Sequence, residues 1–231
     1  MIQGADGCSA GWVVIGKDTA TGALSWRLCA NAAALLQRRP FAQVTAIDIP
    51  IGLPDSGPRA CDQAARRVLS PLRHSSVFSA PIRPVLAAAS YAHACRLRFK
   101  IEAKKISQQA WNIVPKIKDV DTVLQADPRL QRRVREVHPE VSFARLAGGP
   151  LAHSKKTAAG QAERLALLRP FFGRYVDLAL ADRRELRAQV DDVLDAFVVL
   201  WTAERIASGQ AERLPPHPET DRMGLRMEIV V

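Results

Sequence analysis

MIQGADGCSAGWVVIGKDTATGALSWRLC, residues 1–29, is the stretch on which the fold class turns. Met1 to Asp6 leads into the turn Gly7-Cys8-Ser9-Ala10-Gly11, and Trp12-Val13-Val14-Ile15-Gly16 is a second, apolar run. KDTATG, residues 17–22, has turn chemistry, and 23–29 alternates roughly between apolar and polar positions. Strand-sized runs separated by turn residues read as hairpins, so a three-stranded meander is expected here.

Working outward, Asn31 suits the N-cap of a short helix, AAALLQRR, that stops at Pro40. TAIDIPIGLPD, residues 45–55, then completes a fourth strand over 44–49. A meander followed by a helix and a further strand implies a mixed sheet. Prolines at 54, 58, 71, 81, 84 and 115 punctuate the next segment, and 55–130 reads as a largely helical insertion on a single domain, 1–231. Within it, PVLAAASYAHACRLRF and ISQQAWNIVPKIKDVDTVL have helical periodicity, the second broken near Pro115. A fifth strand is expected at VREVH, 134–138, and a helix at PEVSFARLAGG, opened by its proline and closed by its glycines. Helices follow at 157–172 and 190–208, and a short strand closes the chain.

With 231 residues and 48% apolar residues, the chain has material for a real core and is not a disordered polypeptide. No apolar run approaches the ~20 residues of a membrane span. The first residues lack the charged and apolar regions of a signal peptide, so a cytoplasmic protein without membrane association is expected. Cys8, Cys29, Cys61 and Cys95 form no CxxC pair and read as reduced structural cysteines. The net charge of +10 favours encounter with polyanions, although a solvated basic surface has the same composition.

The informative residues are carboxylates placed where burial is costly. Asp6 ends the first strand, Asp48 ends the fourth, Glu136 sits inside VREVH, and Asp191, Asp192 and Asp195 open an otherwise apolar helix. Ionised carboxylates are rarely buried unless paired or metal-bound. Asp192 and Asp195 are i and i+3, Asp191 and Asp195 are i and i+4, so either pair shares a helix face. Two strand-end acids facing a helix acid make a candidate site for Mg2+ or Mn2+, ions that prefer oxygen ligands. Structural readings stand beside these: Asp191 and Asp192 as helix N-terminal acids, Asp48 and Asp6 in turns, and Glu136 paired with Arg133 or Arg135. His138 is a candidate proton carrier and Glu140 a candidate supporting or metal residue. Lys155 and Lys156, at the start of a helix, are candidate phosphate ligands or a solvated turn.

GADGCSAGWVV, AIDIPIGLPD followed by R-x-CD, SSVFSAPIRP, SQQAWNIVPKIKDVD, VREVHPEVSF, SKKTAAGQAERL, DDVLDAFVVLWTAERI and GLRMEIVV resemble, over about residues 3–231, domain-of-unknown-function family 429. Its members are described as predicted RNase H-like nucleases. The resemblance implies an α/β, RNase H-like fold with a mixed five-stranded sheet flanked by helices. DVLDA, residues 192–196, is similar to the last-helix motif of bacterial Holliday-junction resolvases, which use paired aspartates. By that likeness Asp6, Asp48 and Asp195 are the implied metal ligands, with Asp192 or Glu136 completing a catalytic set.

The expected function is therefore divalent-metal-dependent hydrolysis of DNA or RNA. Two alternatives remain: a non-catalytic nucleic-acid-binding module of the same fold, and a phosphotransferase related to the actin-like ATPases and sugar kinases. Fold alone does not choose among these activities; the chemistry of the site does.

Overall fold

The computed structural model describes residues 1–231. Strands β1 (Ile2–Cys8), β2 (Gly11–Lys17) and β3 (Leu24–Cys29) form the expected antiparallel meander. Helix α1 (Ala32–Leu36), capped by the Asn31 side chain, leads to β4 (Val44–Ile47), which lies parallel to β1. The intervening helices are α2 (Ala60–Val68), α3 (Tyr91–Glu102), α4 (Gln108–Ala126) and α5 (Pro128–Gln131). β5 (Val134–Glu136) joins parallel to β4, giving one mixed sheet in the order β3-β2-β1-β4-β5. Then come α6 (Pro139–Ala147), α7 (Ala158–Phe172), α8 (Tyr175–Ala181), α9 (Val190–Ala207) and a small ribbon of β6 (Arg213–Leu214) and β7 (Ile229–Val230). The fold is α/β with the five-stranded mixed sheet of an RNase H-like domain, flanked by helices on both faces.

β1 is central, so both of its faces are buried. Strand periodicity sends Ile2 and Cys8 to one face with Val13, Ile15, Val44 and Ala46, where α6, α7, α8 and α9 cover them. Ala5, Val14 and Ile47 point the other way, against Leu35 and Leu36 of α1 and Ile117, Val120 and Leu124 of α4. Most of 55–130 is thus not an outlying addition, since α4 supplies much of the second layer.

Gly4 is what lets α9 settle onto β1. A Cβ there would stand 2.2 Å from the Leu200 backbone nitrogen and 2.7 Å from the Ala196 carbonyl oxygen. Over this contact α9 buries Val193, Ala196, Phe197, Leu200 and Ala203 completely.

Local signals lost to packing in one place. α4 runs unbroken through Pro115, where a break was expected. The proline removes one backbone donor, but Val114, Ile117, Val120 and Leu124 lie buried along one continuous face. The expected helix over 84–99 is instead a short 3-10 segment, Arg83–Ala87, followed by α3, because Ser90 caps a new helix by accepting from the His93 N–H at 3.2 Å. No helix is long and apolar enough to cross a membrane.

Gly4→Ala is expected to lower unfolding stability by on the order of 3 kcal/mol, because the methyl group meets backbone that cannot rotate away. Urea denaturation followed by circular dichroism measures it.

Candidate carboxylate site

The strand period that builds the core also builds the site. Asp6 shares its face with Ile2, Gly4 and Cys8, so it points toward α9. Asp48 lies two residues beyond Ala46 and continues the parallel ladder, its N–H donating to the Ala5 carbonyl at 3.0 Å. It therefore lies on that same face, at the C-terminal ends of two adjacent parallel strands. On α9, Asp195 precedes Ala196 at the Gly4 contact and has no solvent exposure. Three carboxylates from three elements thus converge.

Their electrostatics show the convergence. Burial, then the charges of Asp48 and Asp195, hold the Asp6 carboxyl well above the usual carboxylate range. Burial pushes Asp195 up to about 6 in spite of the attraction of Lys155. Lys155 is the cation of the cluster, its Nζ 2.5 Å from Asp195 Oδ2. Burial opposes the charge on Lys155, but the attraction of Asp195 and Asp6 prevails and raises its pKa. The other Asp195 oxygen, Oδ1, is buried without a hydrogen-bond partner. Lys156 pairs at 2.5 Å with Asp191, which is also buried.

Helix rotation separates the remaining acids of α9. Asp192 accepts from the Gln189 N–H at 2.8 Å, completing a capping box at the start of the helix. Asp191 faces the lysines and Asp195 faces the strands.

Glu136 is not part of the convergence, and its partner is neither Arg133 nor Arg135. Arg59 grips it with two bonds of 2.7 Å and also holds Asp62, with Nη2 at 2.5 Å from Oδ1. The same Glu136 accepts from the Ile51 N–H at 2.7 Å, and Arg59 donates to the Ile51 carbonyl at 3.2 Å. This buried knot fixes the loop that follows Asp48. A second buried arginine, Arg83, pairs with Asp121 at 2.8 Å and with Asp221, and Asp221 in turn accepts from the Leu53 N–H at 3.0 Å. Between the two clamps Gly52 has φ +73°, and a Cβ there would lie 2.8 Å from the Arg226 carbonyl oxygen. The apolar stiffness of 49–54 therefore serves to hold one carboxylate at a strand end.

Glu140 is bound by Arg164 at 2.5 Å, and Arg164, fully buried, also donates to the His153 carbonyl at 3.2 Å. Gly160 lies directly on the Ser154 carbonyl, where a Cβ would approach to 1.9 Å. These contacts set the turn that presents Lys155 and Lys156. Asp48, Glu136, His138, Glu140, Lys155 and Lys156 all line one cavity of about 330 Å3. Arg59, Arg73, Ser76 and Phe78 line it as well and have no role in the sequence reading, where R-x-CD marks Arg59 and Asp62, and SSVFSAPIRP contains Ser76 and Phe78. His138 Nε2 lies 3.3 Å from the Ser76 carbonyl, which only accepts, so Nε2 carries the hydrogen. Its Nδ1 is buried and unpartnered.

No three His, Cys, Asp or Glu side chains stand close enough to form a ready ion cage. The carboxylates repel one another at longer range, with Lys155 seated on one of them. Asp6, Asp48 and Asp195 against Lys155 leave an excess of two negative charges when all are ionised. With the orphaned Asp195 oxygen, that excess and the all-oxygen donor set fit a hard divalent cation such as Mg2+ or Mn2+.

Acids at the ends of adjacent parallel strands, facing a helix acid on one face of a mixed sheet, define an α/β domain with a polar site at its strand ends. The chain belongs to the family described as protein of unknown function (DUF429), which it matches over residues 4–220. Neither a curated protein nor a solved structure matches it.

Arg59→Lys is expected to destabilise the fold by about 3–5 kcal/mol, because an ammonium cannot replace the fork that holds Glu136 and Asp62 together. Urea midpoints of the two proteins measure this. Lys155→Met is expected to lower stability in EDTA by about 1–3 kcal/mol, less than for a fully buried pair because the lysine is partly solvated. Thermal melts of both proteins in EDTA give the difference.

Proposed function

We propose that this protein is a divalent-metal-dependent nuclease that hydrolyses phosphodiester bonds of DNA or RNA. The convergence of Asp6, Asp48 and Asp195 at the strand ends carries the reading. Asp6, Asp48 and Asp195 are the residues that would hold Mg2+ or Mn2+. When bound, the ion would supply charge stabilisation to a phosphoryl oxygen and lower the pKa of a water molecule.

The rest is the work of the chain's own groups. Lys155 and Lys156 stand beside the acids with ammonium groups suited to nonbridging phosphate oxygens. Lys155 is also the counter-ion of the acid cluster, and it would have to leave Asp195 for a cation to be held there. His138 lines the cavity, and its ring, whose buried Nδ1 has no protein partner, is the group we assign to accept a proton from water. Glu140 is fixed by Arg164, and Glu136 by Arg59, and both hold loops at the wall of the cavity. Asp192, bound into the helix cap, holds the start of α9 and thereby the angle of Asp195.

Binding of nucleic acid without turnover is the second reading. The Lys155–Asp195 pair favours it, because it neutralises part of the acid cluster without any metal.

Calorimetric titration of Mg2+ and Mn2+ into the wild type, Asp6→Asn and Asp195→Asn, followed by incubation with labelled DNA and RNA, tests the proposal. Expected are metal binding and metal-dependent cleavage by the wild type, both lost in the two variants. Absence of binding at millimolar metal, with nucleic acid present, overturns it. Binding of nucleic acid that survives both substitutions without cleavage selects the second reading.

A further inference from the structure

The end of the sheet opposite the carboxylates carries a second feature that the proposed chemistry does not use. Arg39, Phe41 and Gln43 precede β4, and Arg129, Arg132 and Arg133 precede β5, so they gather where these parallel strands begin. Asp48 lies five residues beyond Gln43, about 16 Å away along an extended strand. These residues, with Arg135 and Arg226, line a cleft of about 1050 Å3.

Six guanidinium groups face the cleft and few are neutralised. Arg129 is held by Asp127 at 2.8 Å, and Arg135 lies 3.5 Å from Glu228. Glu136, the other acid of the cleft, is occupied by Arg59. Arg39, Arg132, Arg133 and Arg226 form no ion pair. Instead, the cluster is organised by one aromatic ring. The Cζ atoms of Arg39, Arg129 and Arg133 lie 3.9, 5.7 and 5.9 Å from the centre of Phe41. Of the three, Arg39 stacks most closely and keeps its N–H donors free, whereas Arg129 has used donors on Asp127 and Arg133 donates one to the Ala42 carbonyl at 3.3 Å. Like charge also accumulates beneath the surface, where burial and the Arg226 charge lower the pKa of half-buried Arg135.

We propose that this cleft binds the phosphodiester backbone of a nucleic-acid strand, as a site separate from the carboxylate cluster. One phosphate engages two or three guanidinium groups, and the surplus here, spread over about 1050 Å3, matches several successive phosphates. The cleft is continuous in its walls with the site at the other end. Glu136 lines both cavities, so a strand lying along the β5 edge leads toward Asp48. The inference deepens the nuclease reading by giving its polymer a place to lie, but it does not require hydrolysis.

The test is fluorescence polarisation of a labelled 20-nucleotide single strand with the full chain, in EDTA, across a salt series. Because EDTA removes the metal, loss of cleavage and loss of binding are read separately. Arg39→Ala/Arg132→Ala/Arg226→Ala removes three guanidinium groups that make no ion pair, so its circular dichroism and melting temperature should match the wild type. Its affinity is expected to fall at least tenfold, and its log–log salt slope to lessen by about 2, from ~0.7 per lost phosphate contact. Arg132→Glu alone, at an exposed position, is expected to weaken binding in the same direction and serves if the triple variant misfolds. Unchanged affinity and slope would overturn the inference. So would an equal loss in Arg96→Ala/Lys100→Ala/Lys104→Ala, which removes the same charge from α3 and the turn after it, since the effect would then be net charge alone. Displacement of the strand by ATP at matched phosphate concentration would also overturn it, assigning the cleft to a nucleotide.

Discussion

The contact between α9 and β1 at Gly4 is the constraint on which the rest of the structure depends. Two backbones meet there with no side chain between them, and a single methyl group would stand within 2.2 Å of the helix. The approach buries the apolar length of α9 on the central strand, and it also brings Asp195 down beside Asp6 and Asp48. A helix held a few ångströms further out would leave room for water around these acids and disperse their mutual repulsion. Core and candidate site are therefore one packing decision.

Three buried arginines, Arg59, Arg83 and Arg164, extend that decision to the loops. Each leaves water at a high desolvation cost, and each regains it through two or more charge-assisted bonds. Each also ties a distant segment to the strand ends: Arg59 and Arg83 clamp the loop after Asp48, and Arg164 sets the turn of Lys155 and Lys156. Well-packed apolar residues would stabilise such a region at least as well. They would not fix which backbone groups face which, and a site built from loops needs that orientation.

Charge is divided along the sheet. The strand-end face gathers acids, and burial beside other carboxylates raises the pKa values of Asp6 and Asp195, while the strand-start face gathers arginines around Phe41. The net charge of +10 conceals this separation. The basic end carries guanidinium groups without ion-pair partners, and the acidic end carries an excess of negative charge that Lys155 only partly offsets.

The sequence by itself determined the five strands, their mixed arrangement and the acids that end two of them. Hairpin turns, period-two alternation and the apolar run of α9 are local signals, and local signals survive in a linear reading. It also marked two strand-end acids and the acids of one helix, because acids are conspicuous among apolar residues, and a motif resemblance implied Asp6, Asp48 and Asp195 as the set. Only the tertiary structure decided that Asp191 faces the lysines while Asp192 caps its own helix, since one residue of helix rotation separates the two. Only it paired Glu136 with Arg59, 77 residues earlier, rather than with the arginines beside it. It carried α4 through Pro115, because burial along the whole helix outweighs one missing hydrogen bond. And it gathered Arg39, Arg132 and Arg226 into one cleft, which no periodicity announces, because the starts of two parallel strands, β4 and β5, meet there and the C-terminal segment folds back beside them.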